Sequence, residues 1–139
     1  MAKKSQTVSE LDINKIAIEG KISPQALEIE KAVLGAMLLD KIAVDTAIGI
    51  LQEEVFYSEA NRKIFQAMVA LHQKGSPIDL LTITEYLQAK QQIESVGGPF
   101  YISELSQAVT SGANIEAHAH ILIEKSILRG IIVASNEAV

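Results

Sequence analysis

The stretch NIEAHAHILIEKSILRGIIVASNEAV, residues 114–139, decides the fold. It holds no proline and a single glycine, Gly130. At ~1.5 Å per residue a helix through it reaches about 35–40 Å. Wound at about 100° per residue, it gathers His118, Lys125, Arg129 and Asn136 onto one narrow strip. Most of the remaining circumference is apolar. One side carries Ile115, Ala119, Leu122 and Val133, the next Ile123, Ile127, Ile131 and Ala138, and a third Ala117, Ile121, Leu128 and Ile132. Glu116, His120 and Glu124 interrupt that arc. A surface helix usually buries a stripe ~100° wide, so this one asks for more cover than one neighbouring body gives. Either the rest of the chain wraps it, or it projects from a head and a second helix or subunit covers its other sides. The apolar pattern runs to Val139 without a capping glycine or polar tail, so it reads as an element cut short, which favours the projecting arrangement.

Toward the N-terminus every strong signal is helical. Ser23-Pro24 reads as an N-cap followed by proline at the first helical position, opening an apolar stripe through Leu27, Leu34, Met37 and Leu38. Asp40 caps a second helix reaching about Leu51. Ser58 caps a third, with Ile64, Phe65, Met68 and Leu71 inward and Gly75 as its left-handed stop. Thr82-Ile83-Thr84-Glu85 has the form of a capping box for a fourth, with Leu81 and Tyr86 as its staple. Gly97-Gly98-Pro99 breaks the chain and opens a fifth, bearing Tyr101, Ile102, Leu105 and Val109. No strand-like alternation occurs, and the class is all-α: a compact bundle of about five short helices followed by one long helix. Residues 1–22 are net +1, four lysines against three acids, while 23–139 is net −6, eight basic residues against fourteen acidic. They read as a flexible basic leader ahead of an acidic head, 23–110, with the long helix filling 111–139.

Composition narrows the chemistry. There are no cysteines, which excludes disulfides, thiolate metal sites and a cysteine nucleophile. Arg62 and Arg129 are the only arginines in a chain of net charge −5, a poor match to a direct grip on a phosphate backbone. A helix-turn-helix reader needs a polar, basic recognition helix, whereas the best candidate, Glu59 to Lys74, offers only Arg62 and Lys63 over an ordinary core face. No G-x-x-x-x-G-K-[ST] motif cradles a phosphate. His118 and His120 point about 160° apart on a helix and cannot share one metal. Adjacent Glu53 and Glu54 read as solvated charge, not as an acid/base pair. No uninterrupted apolar run is long enough to span a membrane, and Met1-Ala2-Lys3-Lys4-Ser5 is not a secretory signal, so a cytoplasmic protein is expected.

Several local strings then occur in a specific order. PQALEIE (24–30) leads into AVLGAMLLD (32–40), and Phe56-Tyr57 precedes NRKIF (61–65). GSPIDL (75–80) precedes TITE (82–85), and Gly97-Gly98, YISEL (101–105) and Ala113-Asn114-Ile115 follow. In this order and spacing, residues 24–139 resemble the N-terminal domain of the bacterial replicative DNA helicase, the DnaB family. The sequence departs from the family's habit at Thr110, where proline is usual, at Asn61, where histidine is frequent, and around Ile123-Glu124-Lys125, which is usually more basic.

The resemblance implies a compact helical head followed by a helical hairpin, of which residues 111–139 are the first arm. It implies a RecA-like motor with ATP and Mg in a later domain absent from this chain, so the chain alone is not expected to be an enzyme. It implies subunits in a hexameric ring, their N-terminal domains forming a collar arranged as a trimer of dimers. The partners implied are further copies of the chain, primase and the helicase loader, with single-stranded DNA held mainly by the motor and no membrane. A free-standing helical adaptor is the alternative reading. The subunit interface is expected at Ile121, Ile123, Ile127, Leu128 and Ile131, with His118, Lys125, Arg129 and Asn136 left to solvent. Deleting residues 1–22 should leave a cooperative thermal transition shifted by only a few degrees, where ~1 kcal/mol corresponds to about 4–8 °C for a small domain. Loss of cooperativity in that melt would place the leader in the core.

Overall fold

A computed structural model describes residues 24–109 and 111–138, with side chains placed at 27–109 and 111–130. The leader 1–22 and the expected cap at Ser23 lie outside the described residues. Six α-helices and no strand occur among the described residues: α1 Pro24–Leu39, α2 Lys41–Ile50, α3 Glu59–Gln73, α4 Leu80–Ala89, α5 Gly98–Ser106 and α6 Ile115–Ala138. Single 3₁₀ turns at Glu53–Val55 and Glu94–Val96 join α2 to α3 and α4 to α5.

Each boundary has a local cause. The Asp40 carboxylate accepts from Ile42 N at 2.9 Å, so one residue ends α1 and starts α2. Ser58 Oγ accepts from Asn61 N at 3.2 Å and starts α3. Gly75, at φ 73°, closes α3 in the left-handed region that favours glycine, while Ser76 N donates to Leu71 O at 2.9 Å. The start of α4 corrects the sequence reading. The capping box is Asp79 with Thr82, three residues earlier than Thr82 with Glu85: Thr82 N donates to Asp79 Oδ1 and Asp79 N to Thr82 Oγ1, both at 2.9 Å. Aspartate is the stronger N-cap, and Thr82 is already inside the helix. The staple positions therefore fall on Ile78 and Ile83, both packed into the core, and not on Leu81 and Tyr86.

The helix at the centre is α1, not α6. α1 packs against α2, α3, α5 and α6, while α4 packs against α3 and α5. Val33, Leu34 and Met37 of α1 are fully buried in the same core as Phe56 and Phe65, whose rings meet at a tilt of 38° with centroids 5.0 Å apart. α6 lies along α1, α2 and the Glu53–Val55 turn and buries Ile115, Ala119 and Leu122 in the core, with Ile123 half-buried against it. That answers which of its three apolar sides faces the head.

Gly35 of α1 lies against the backbone of α5, where a Cβ would meet the Leu105 carbonyl oxygen at 2.3 Å. Nothing lies within 4 Å of a Cβ on Gly49 in α2. Gly35→Ala gains about 1 kcal/mol of helix propensity but meets a backbone wall costing about 2–3 kcal/mol, a net loss of roughly 1–2 kcal/mol. Gly49→Ala should gain up to about 1 kcal/mol. Urea melts of the two variants should therefore move in opposite directions.

Candidate functional site

Two features stand out on the head: a buried polar cluster at its centre, and the side of α6 that the head leaves uncovered. The cluster begins with Glu30, whose residue is 0% exposed in the middle of the apolar face of α1. Its carboxylate accepts from Tyr57 N at 2.6 Å, Ser58 N at 3.3 Å and Asn61 Nδ2 at 2.8 Å. The Asn61 carbonyl in turn accepts from the Tyr101 hydroxyl at 2.5 Å. One acid thus joins α1, the loop before α3, α3 itself and α5. A buried carboxylate is tolerable when it is hydrogen-bonded in this way.

The carbonyls of the same loop face the chain's two arginines. Arg62 Nη2 donates to Phe56 O and Arg129 Nη2 to Val55 O, each at 3.0 Å. The Arg129 guanidinium also lies 5.5 Å from the centroid of the Tyr57 ring. Burial pulls the Arg129 guanidinium below its ordinary value, with Arg62 adding to the shift and Glu30 and Tyr57 opposing it. Burial pushes the Tyr101 phenol up to about 12, and Glu104, Glu30 and Glu28 add to that.

The cluster is a clamp on the Val55–Ser58 loop: Glu30, Asn61, Tyr101, Arg62 Nη2 and Arg129 Nη2 hold chain to chain, while Arg62 Nε is buried without a hydrogen-bond partner. The sequence reading missed it, although the signal was present. Glu30 stands at i with Val33, Leu34 and Met37 at i+3, i+4 and i+7, a charged residue on a core face. Asn61 stands likewise with Ile64, Phe65 and Met68.

The expected interface residues separate into groups. Ile127 and Leu128 are 55% and 45% exposed on α6. Ile121 is half-buried. Ile123 is half-buried too, but it packs against the head's core, so the head covers part of it. The side chains of Ile131 and Asn136 lie outside the described residues. The solvent strip is corrected: Arg129 turns onto the head as above, and Lys125 is half-buried. His118 lines a groove of about 290 Å³ with Ala32, Ala36 and Val109. The reason is geometric. The strip lies only about 40–80° around α6 from Ile115 and so flanks the buried side, within reach of a long side chain.

Residues 22–134 match the family described as the DnaB-like helicase N terminal domain. The chain belongs to this family. A "Replicative DNA helicase DnaB" of Geobacillus stearothermophilus is 48% identical over 112 residues, covering 81% of this chain and 25% of that protein. Its counterpart in Rhodothermus marinus is 45% identical over 112 residues, 81% of this chain and 12% of that protein. That of Pasteurella multocida is 38% identical over 137 residues, 99% of this chain and 28% of that protein. The chain therefore spans between 12% and 28% of the length of these DnaB relatives. The crystal structure of the N-terminal domain of DnaB helicase from Mycobacterium tuberculosis superposes with a TM-score of 0.78 at 32% identity, covering 80% of this chain and 77% of that one. The all-α fold is that of the DnaB N-terminal domain.

The raised Tyr101 pKa gives a pH test of the clamp. The folded state holds this phenol neutral more firmly than the unfolded chain does, so its contribution is complete below pH ~10 and is lost as pH rises toward about 12. At pH 8, Tyr101→Phe should cost about 1 kcal/mol through the lost hydrogen bond. In urea melts at pH 11 the gap between wild type and Tyr101→Phe should be smaller than at pH 8. An unchanged gap would mean that Tyr101 is not held as described.

Proposed function

We propose that this chain is the N-terminal collar domain of a hexameric replicative DNA helicase, serving ring assembly and docking rather than chemistry. Two copies pair through the uncovered side of α6, and three such pairs close the collar. Primase and the helicase loader dock on that collar. ATP and Mg are served by a motor domain elsewhere in the full-length protein, which also holds most of the single-stranded DNA while unwinding the duplex. The protein works in the cytoplasm.

Three observations support this reading. The chain matches the N-terminal domain of proteins named replicative DNA helicase, over a fraction of their length. Its 139 residues contain no phosphate-cradling glycine motif. No helix among the described residues is long and apolar enough to cross a membrane. The observation that carries the assembly role is the exposure of Ile127 and Leu128 on a helix whose other side is already buried in the head. A contiguous apolar patch left uncovered is where interaction sites are found, and Ile121, Ile127 and Leu128 lie on one side of α6. The pairing face is Ile121, Ile127 and Leu128, extended in sequence by Ile131. Ile123 sits at its edge, shared with the head.

Ile127→Glu places an unpaired charge in a dry contact, a cost of about 3 kcal/mol or more, or at least about a hundredfold in dissociation constant. Lys125→Glu should matter far less. In a longer chain carrying both arms of the hairpin, sedimentation should show wild type and Lys125→Glu as dimers or larger and Ile127→Glu as monomer. Wild-type assembly by the Ile127→Glu variant would remove this face from the proposal.

A further inference from the structure

Between Ile123 and Gly130 the long helix gains little from the apolar core: Ile127, Leu128 and Gly130 are exposed. Arg129 is the outlying exception, with its hydrogen bond to Val55 O at 3.0 Å and its seat over Tyr57. The group it grips is not a loose loop. Tyr57 N and Ser58 N are fixed from below by buried Glu30, and Phe56 O is fixed by Arg62. The Arg129 guanidinium therefore reaches a part of the head that is itself anchored in the core. Its planar fork can bond a carbonyl while its face stacks on a ring, which a lysine ammonium cannot do in one geometry.

The position of Arg129 on the helix has a second effect. Ile127 is two residues away and so about 160° around the axis, and Leu128 is about 100° away. Pinning Arg129 to the head turns Ile127 to the far side and Leu128 outward, in agreement with their exposures of 55% and 45%.

We propose that Arg129 is a latch: by engaging the Val55 carbonyl and the Tyr57 ring it fixes both the direction of the outer half of α6 and its rotation, so that Ile127 and Leu128 face away from the head. Releasing the latch frees the outer arm while the head stays folded, because the contacts of Ile115, Ala119 and Leu122 remain. This rests on the assembly reading above only for what the presented face is used for; the latch itself is a property of one chain.

The test uses the absence of cysteine from the chain. Spin labels are placed at Gln73→Cys, exposed at the end of α3, and at Glu137→Cys, near the end of α6. Labelled chain is diluted in excess unlabelled chain, so that double electron–electron resonance reads distances within one molecule. Wild type and Tyr57→Phe, which keeps the ring, should give one narrow distance. Arg129→Gln and Tyr57→Ala should lose it for a broad distribution while keeping a cooperative melt, and Arg129→Lys should fall between. An unchanged narrow distance in both Arg129→Gln and Tyr57→Ala overturns the latch. So does loss of the cooperative melt in both, which would make these groups part of the head's core. If Arg129→Gln alone unfolds, Tyr57→Ala decides. Sedimentation of Ile127→Glu separates the two ideas: a broadened arm with normal pairing by Ile127→Glu keeps the latch and removes the pairing face, and the reverse result removes the latch alone.

Discussion

The Glu30 carboxylate is the interaction on which the arrangement of the head depends. A charge with no exposed surface is tolerated only if donors surround it, and here they come from two backbone amides and one side-chain amide. Those donors belong to the segment that turns the chain from the Glu53–Val55 turn into α3, so satisfying the acid also sets the entry angle of α3. Asn61 passes the constraint to α5 through the Tyr101 hydroxyl. Apolar packing alone would hold these helices together without fixing their register. The carboxylate's geometry selects one register, since any slip leaves a buried charge or a buried amide without a partner.

The same loop explains why a net-acidic chain places its two arginines where it does. Its amides face Glu30 and its carbonyls face Arg62 and Arg129, so opposite edges of one backbone segment meet opposite charges. Neither arginine is spent on a surface ion pair of much worth: the Arg62–Glu59 contact is 3.6 Å long with Glu59 largely exposed. Arginine is used here as an internal fastener, which agrees with the poor match of this chain to phosphate binding.

What was legible in the sequence was mostly what is local. Asp40, Ser58, Gly75 and the Gly97-Gly98 pair act within a few residues of themselves, and each does what its side chain or its freedom at positive φ dictates. The start of α4 was displaced because two overlapping patterns, Asp79 with Thr82 and Thr82 with Glu85, offer caps of similar form. The long helix shows a different limit. Periodicity orders the directions around α6 but supplies no zero, so it could not say that Ile115, Ala119 and Leu122 face the head. For want of that zero, the pattern alone leaves Arg129 in solvent, whereas the structure turns it onto the head. Glu30 and Asn61 were passed over because one polar residue on an apolar face reads as noise until its partner, 31 residues on, is placed beside it.

The central position of α1 has a consequence for the order in which the chain is made. α1 is synthesised first among the described helices, yet two of its neighbours, α5 and α6, begin only at Gly98 and Ile115. At ~5–20 residues per second, the apolar surface of α1 waits several seconds on a translating ribosome before its last cover emerges. During that interval α2, α3 and then α5 are made in turn, so Glu30 and Asn61 are both present before Tyr101 is. The head therefore cannot close as a unit until its C-terminal helices have emerged.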